Sequence, residues 1–199
     1  YDPKYMESVW WLLGQIYEKD LMYKGYTIQP YSPKAGTGLS THELNMPGCY
    51  RNVKDVSVTA QFKLVRDEKS EFLFDGHPND VYFLAWTTTP WTLPSNCAVA
   101  LGAKIEYSLI QTFNPYTKEP VTIILATDLI SKYLKPEGAE MALEDYDGEG
   151  KIIPYKVIST TKGADLEGIH YHQLLPYVQP EEGDAFRAIL GDFVSTEDG

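Results

Sequence analysis

Two periods of apolar residues divide the chain. Near its start Met6, Val9, Trp10, Leu13, Ile16 and Tyr17 recur at spacings of three and four, one wide stripe that predicts an amphipathic helix. The start signals stand in order: Asp2 to cap, Pro3 at the first helical position, and Glu7 bringing negative charge near the N-terminus. Trp11 and Leu12 lie off the stripe, so this helix is expected to pack on more than one side, as a helix serving a neighbouring domain would, and to end before Gly25. Further on the period shortens. Val56, Val58, Ala60, Phe62 and Leu64 alternate with Ser57, Thr59, Gln61 and Lys63, the pattern of a half-buried strand.

Between these regions, residues 25–47 are rich in Gly, Pro, Ser and Thr and read as an irregular connector with one short strand pair. Residues 81–89 are apolar or β-branched on both faces, which fits a strand buried in the middle of a barrel or sandwich. Residues 97–101, 105–112, 121–127, 151–161 and 185–194 continue the β pattern, with charged turns at 66–70 and 75–80. Asp128 is placed to cap a short helix over 129–134. The expectation is a mainly β fold, an antiparallel barrel with an N-terminal helix and small helical insertions.

The chain has 199 residues, 43% of them hydrophobic and 23% charged, a globular balance that excludes a disordered or low-complexity chain. At that size no disulfide or metal staple is required. Cys49 and Cys97 are too far apart to read as a metal motif and too few for a secreted disulfide framework, which favours a reducing, cytoplasmic home. No apolar run approaches the roughly 20 residues of a membrane span, and the opening YDPKYMES carries no basic-then-apolar signal. A net charge of −11 argues against binding nucleic acid through a broad basic face, though not against local contacts to one RNA end.

Most candidate sites have a plainer reading. His170 and His172 share one face of a strand but lack a third ligand, and a solvated or hydrogen-bonded pair is favoured over a metal site. The acidic run 144–149 lacks the regular calcium-loop positions, and 181–184 is another exposed acidic turn. The chain has no nucleophile elbow, phosphate-cradling loop or zinc-protease helix.

The unusual segment is WTTTPWTLPSN, residues 86–96. Threonine is a good strand former and Pro90 and Pro94 stiffen a loop, so a strand ending at a proline is the simple account. Burying hydroxyls without partners costs about 1–3 kcal/mol each, however, and three follow one another here. If the strand stays extended, Thr87 and Thr89 face one side and Thr88 the other. Two hydroxyls then line one cavity, the Trp91-Thr92-Leu93 loop forms its rim, and Asn96 supplies a donor and an acceptor beside it. Such a pocket suits a short aliphatic ligand with polar ends.

This segment resembles the threonine-rich peptide of the editing domain inserted in isoleucyl-tRNA synthetases. The valyl and leucyl enzymes usually carry arginine at the position of Thr89 and do not continue with Trp-Thr-Leu-Pro. DPKYMESVWWLLGQIYEKDLMYKGY is similar to the helix leading from the catalytic domain into the insertion. GADLEGIHYHQLLPY (163–177) and LGDFVSTEDG (190–199) resemble later editing-domain stretches. The resemblance implies a helix and connector over residues 1–49 and an editing β-barrel over 50–199, C-terminally incomplete. Many relatives carry a Cys-x-x-Cys zinc pair where Ser32 and Ala35 stand here, so no zinc is expected. In the family a histidine and then an aspartate of the editing site follow the Thr-Glu-Asp-Gly stretch, the aspartate holding the substrate's amino group. The expectation is therefore a piece of a larger synthetase, with no cofactor of its own, whose catalytic domain uses ATP and magnesium.

A pocket discriminates one methylene by only about 1–3 kcal/mol, and the isoleucyl enzymes are themselves the worked case of that limit. The resemblance implies a second sieve that hydrolyses valine attached to the tRNA 3′ end, using a positioned water and no covalent nucleophile. Thr87 and Thr89 would wall the cavity, Thr88 orient the water or the terminal ribose, Trp91 serve as a wall or support, and Asn96 brace the loop or contact the adenosine. The expected partners are the valine-bearing tRNA end and the rest of the synthetase, with no membrane, in a monomer. The alternative is a non-catalytic barrel that only docks tRNA or another domain.

Overall fold

The structure is a computed structural model that describes residues 2–197. Two compact units divide after Lys54. The first opens with α1 (Pro3–Glu18). Asp2 is extended, its carboxylate accepts from the Lys4 N–H at 2.9 Å, and Pro3 takes the first turn, where no backbone donor is needed. The helix buries none of its side chains, and Trp10 and Trp11 are 67% and 65% exposed. The connector contains the expected strand pair, β1 (Tyr31–Ser32) antiparallel to β2 (Thr37–Gly38). It also holds a helical turn, α2 (Thr41–Leu44), closed by a capping box: Ser40 and Glu43 each accept from the other's backbone N–H.

The second unit contains β3 (Val58–Lys63), β4 (Val81–Thr87), β5 (Ala98–Leu101), β6 (Glu106–Phe113), β7 (Pro120–Ala126), α3 (Ile130–Tyr133), β8 (Lys156–Lys162) and β9 (Arg187–Leu190). Five strands form one sheet in the order β3-β4-β7-β6-β8, and β5 pairs with β9. β7 lies at the centre and is buried from Val121 to Ala126. Its Ile124 and Ala126 face the main core with Phe62, Phe83, Leu109 and Leu166. Val121, Ile123 and Leu125 face a smaller cluster completed by Ile110 and Leu134. A strand covered on both faces reads as a continuous apolar run, as 121–126 does.

Segment 168–172 joins the two sheets. The His170 carbonyl accepts from the Val65 N–H at 2.9 Å and the His172 N–H donates to the Lys63 carbonyl at 2.8 Å. On its other side the Tyr171 N–H donates to the Phe186 carbonyl (2.7 Å) and the Ile169 carbonyl accepts from the Ala188 N–H (2.8 Å). β5 and β9 thus extend the larger sheet past β3.

Three expectations are corrected. No closed barrel forms among the described residues: β5 and β8, at the two ends of this extended array, share no ladder, and the 3-10 turn after β8 meets 102–105 instead through the Gly163 and Ala164 N–H groups. Nor is the fold wholly antiparallel, since β4–β7 and β5–β9 are parallel pairs. Alternating apolar residues report which face a strand buries, not which strand lies beside it. Asp128, expected as a helix cap, instead lies within a 3-10 turn (Thr127–Leu129) that precedes α3, whose N-cap position belongs to Leu129.

Candidate functional site

β4 ends at Thr87 rather than running on to Thr89. The Thr87 hydroxyl turns the chain: it accepts from the Thr89 N–H at 3.0 Å, a side chain doing what a strand partner would otherwise do. That fold-back leaves the Thr87 and Thr89 Oγ1 atoms 3.2 Å apart. Thr88 lies at the bend, exposed and without a hydrogen-bond partner among the described residues. A 3-10 helix follows over Pro90–Ser95, with Pro90 pre-set for its first turn. It is anchored at the Thr89 carbonyl, which accepts from both the Thr92 N–H (3.0 Å) and the Thr92 hydroxyl (2.8 Å).

Asn96 closes the loop. Its Nδ2 donates to the Ala98 carbonyl at 2.9 Å, and its Oδ1 accepts from the Tyr171 hydroxyl at 2.6 Å. Tyr171 is 2% exposed, and burial pushes its phenol well above the ordinary value.

Thr87, Thr92, Leu93 and Asn96 border a cavity of about 360 Å³ within the second unit. Thr87, Thr92 and Asn96, with Tyr107, Tyr133, Ser195 and Thr196, supply its polar lining, and Phe62, Val99, Leu101 and Leu125 its apolar walls. At its back the Tyr107 hydroxyl accepts from the Gly102 N–H at 3.0 Å, and burial raises that phenol too. The Lys132 ammonium stands 5.2 Å from the centre of the Trp86 ring, within the range at which indole attracts a cation.

Of the five residues singled out in the sequence, Thr87 and Asn96 line this cavity. Thr89 is not among its lining residues but is hydrogen-bonded to two that are, Thr87 and Thr92. Thr88 and Trp91 are not among its lining residues, and Trp91 is 69% exposed. Of the loop expected to form the rim, Thr92 and Leu93 line the cavity. Sequence reasoning does not reach Tyr171, since nothing in the sequence ties it to Asn96, 75 positions away.

The other candidates lie elsewhere. His170 sits between two carboxylates, Nε2 3.0 Å from Asp184 and Nδ1 3.7 Å from Asp67, and no group of three or more metal-ligating side chains occurs among the described residues. The Ser32 hydroxyl accepts from the Ala35 N–H at 3.3 Å, within the hairpin turn. The 144–149 run holds its own turn, Asp147 accepting from the Glu149 N–H. Asp198 and Gly199, which end the stretch 190–199, lie outside the described residues.

Comparison with known proteins adds the following. A family model described as tRNA synthetases class I (I, L, M and V) matches residues 1–190. Isoleucine–tRNA ligase of Bacteroides fragilis is 58% identical over 199 residues, covering 100% of this chain and 17% of that protein. The isoleucine–tRNA ligase of Porphyromonas gingivalis is likewise 58% identical, over 200 residues that cover 100% of this chain and 17% of that protein. That of Picrophilus torridus is 41% identical over 195 residues, covering 98% of this chain and 15% of that protein. The chain thus spans about one sixth of the length of the curated relatives it matches. A solved structure described as the crystal structure of GlLeuRS-CP1 overlaps 72% of this chain and 50% of its own, at 17% identity and a TM-score of 0.47, a likeness too loose to carry weight. No helix among the described residues is long and apolar enough to cross a membrane.

Proposed function

Because the chain belongs to the class I tRNA synthetases (I, L, M and V), we propose that it is the editing region of an isoleucine–tRNA ligase, hydrolysing valine wrongly esterified to the isoleucine tRNA. The observation that carries this reading is the 360 Å³ cavity beside the paired Thr87 and Thr89 hydroxyls. That volume lies at the small end of ligand sites, which run from about 300 to 1,000 Å³. Its walls are mostly aliphatic and aromatic, and its polar side chains come from the threonine segment, from Tyr107 and Tyr133, and from Ser195 and Thr196. A short branched side chain carrying a polar ester end matches this division.

In this reading valine enters among the apolar walls and isoleucine is refused by its extra carbon, a misfit of about 1–3 kcal/mol. Water is the nucleophile. The threonine segment orients it, and hydroxyls and backbone N–H groups stabilise the oxyanion that develops. Thr88, exposed at the bend beside the cavity rather than in its lining, is assigned to the water or the terminal ribose. The ligase to which this region belongs aminoacylates tRNA with ATP and magnesium in its catalytic domain, acts in the cytoplasm as a monomer, and delivers the tRNA 3′ end to this cavity. The region itself takes no cofactor.

The test is deacylation of valyl-tRNA by the full-length enzyme carrying Thr88→Ala or, separately, Asn96→Ala. Loss of deacylation with isoleucine acceptance intact supports the reading. Unchanged rates in both variants would favour a docking module, which has no need of aligned hydroxyls around a hollow.

A further inference from the structure

The polar wall of the cavity is held from outside the threonine segment. Asn96 is tethered at both ends of its amide: a carbonyl only accepts, so the Ala98 carbonyl fixes the NH2 edge, and the Oδ1 edge then faces Tyr171, which must donate. Tyr171 is itself held fast. Its ring meets Phe62 edge-on at 5.0 Å and Phe186 at 6.2 Å, and its backbone is hydrogen-bonded to Phe186 and bridged to Leu64. A buried hydroxyl requires a partner, and the one this phenol has is the side chain of a cavity residue 75 positions earlier.

We infer that Tyr171 is a positioning residue for the cavity: its hydroxyl locks the Asn96 amide so that one N–H of Nδ2 is spent on Ala98 and the other is held toward the bound ester. The inference rests on the editing reading and names a further residue of that same site. Removing the hydroxyl leaves the ring packing in place but frees one end of the amide, which then spends part of its time turned away from the substrate. Tyr171 does not touch the substrate and acts through Asn96 alone.

The experiment is a double-mutant cycle in the full-length enzyme, reading valyl-tRNA deacylation and isoleucine acceptance side by side. Tyr171→Phe is expected to lower the deacylation kcat about three- to tenfold, the range one neutral hydrogen bond spans, with isoleucine acceptance unchanged. In an Asn96→Ala background the same exchange is expected to have less than about a twofold effect, because the group it positions is gone. Incorporation of 3-fluorotyrosine at position 171, which keeps ring and hydroxyl, should restore the rate to within about twofold. An unchanged rate for Tyr171→Phe overturns the inference. So does a loss that adds fully to that of Asn96→Ala, or one matched by falling isoleucine acceptance, either of which marks a merely structural tyrosine. Should the unmodified enzyme fail to deacylate valyl-tRNA, the editing reading falls and the inference with it; an active parent with a neutral Tyr171→Phe overturns the inference alone.

Discussion

The hydroxyls of Thr87 and Thr89 lie 3.2 Å apart although β4 ends between them, because Thr87 accepts the Thr89 N–H and folds the chain back on itself. An extended strand would also place these side chains on one face, but nearly 7 Å apart, roughly two residue rises. The turn halves that spacing.

That turn makes a first prediction. Thr87→Val keeps the shape and removes the acceptor, leaving the Thr89 N–H to water. Both residues are partly solvated, so stability should fall by only about 0.5–1 kcal/mol, whereas Thr87→Ser should hold it within about 0.3 kcal/mol. Urea denaturation of the 199-residue chain measures both, and equal losses in the two variants would mean that the hydroxyl is not what holds the bend.

Gly163 gives a second. A Cβ there would lie 2.2 Å from the Gly102 carbonyl oxygen, a backbone atom that cannot turn aside. Gly163→Ala should therefore cost about 1–3 kcal/mol. In contrast a methyl added at Gly14, inside α1, would meet nothing within 4 Å. Gly14→Ala should raise helix content and stabilise by about 0.5–1 kcal/mol. Thermal melts followed by circular dichroism separate the two, which should move in opposite directions.

The third concerns acid. Burial alone would raise the Asp67 carboxyl, but hydrogen bonds from the Ser70 and Lys69 N–H groups outweigh it and hold it below its ordinary value. The His170 ring does the same for Asp184, assisted by Arg187. A carboxyl depressed on folding contributes stability that is present above its unfolded pKa of about 4 and is lost as pH falls through the folded value. The urea midpoint should drop below about pH 4, and Asp67→Asn should make that drop shallower. Parallel curves for parent and variant would exclude Asp67 as a source.

A fourth follows from the charge of −11. The chain by itself should bind tRNA no tighter than about 10⁻⁶ M, with affinity falling steeply between about 50 and 200 mM salt. Fluorescence anisotropy with labelled tRNA reads both, and nanomolar binding indifferent to salt would contradict it.

Local features were legible in the sequence. Asp2-Pro3 started α1 and the alternation through Phe62 marked β3. Each is written in neighbouring residues. What failed was written between distant ones. The middle place expected for the strand at 81–89 belongs to β7. The parallel partners Val81 and Thr122, or Val99 and Ala188, carry no mark of each other, so an alternating pattern suggested an antiparallel barrel where two parallel pairs and an open sheet stand. The same holds for the cavity. Thr87 and Asn96 were found because they sit on one short segment, whereas Tyr171 reads as an ordinary core aromatic until its hydroxyl is seen on Asn96.

The late strand β9, paired in parallel with β5, bears on how the polypeptide is made. Residues 193–196, which finish the hollow, leave the ribosome after every other strand of this unit. Synthesis at roughly 5–20 residues per second puts the emergence of β9 about 5–20 seconds behind that of β5. For that interval the apolar faces of Val99 and Leu101 await their covering, and the nascent chain is open to chaperones on the side of the cavity.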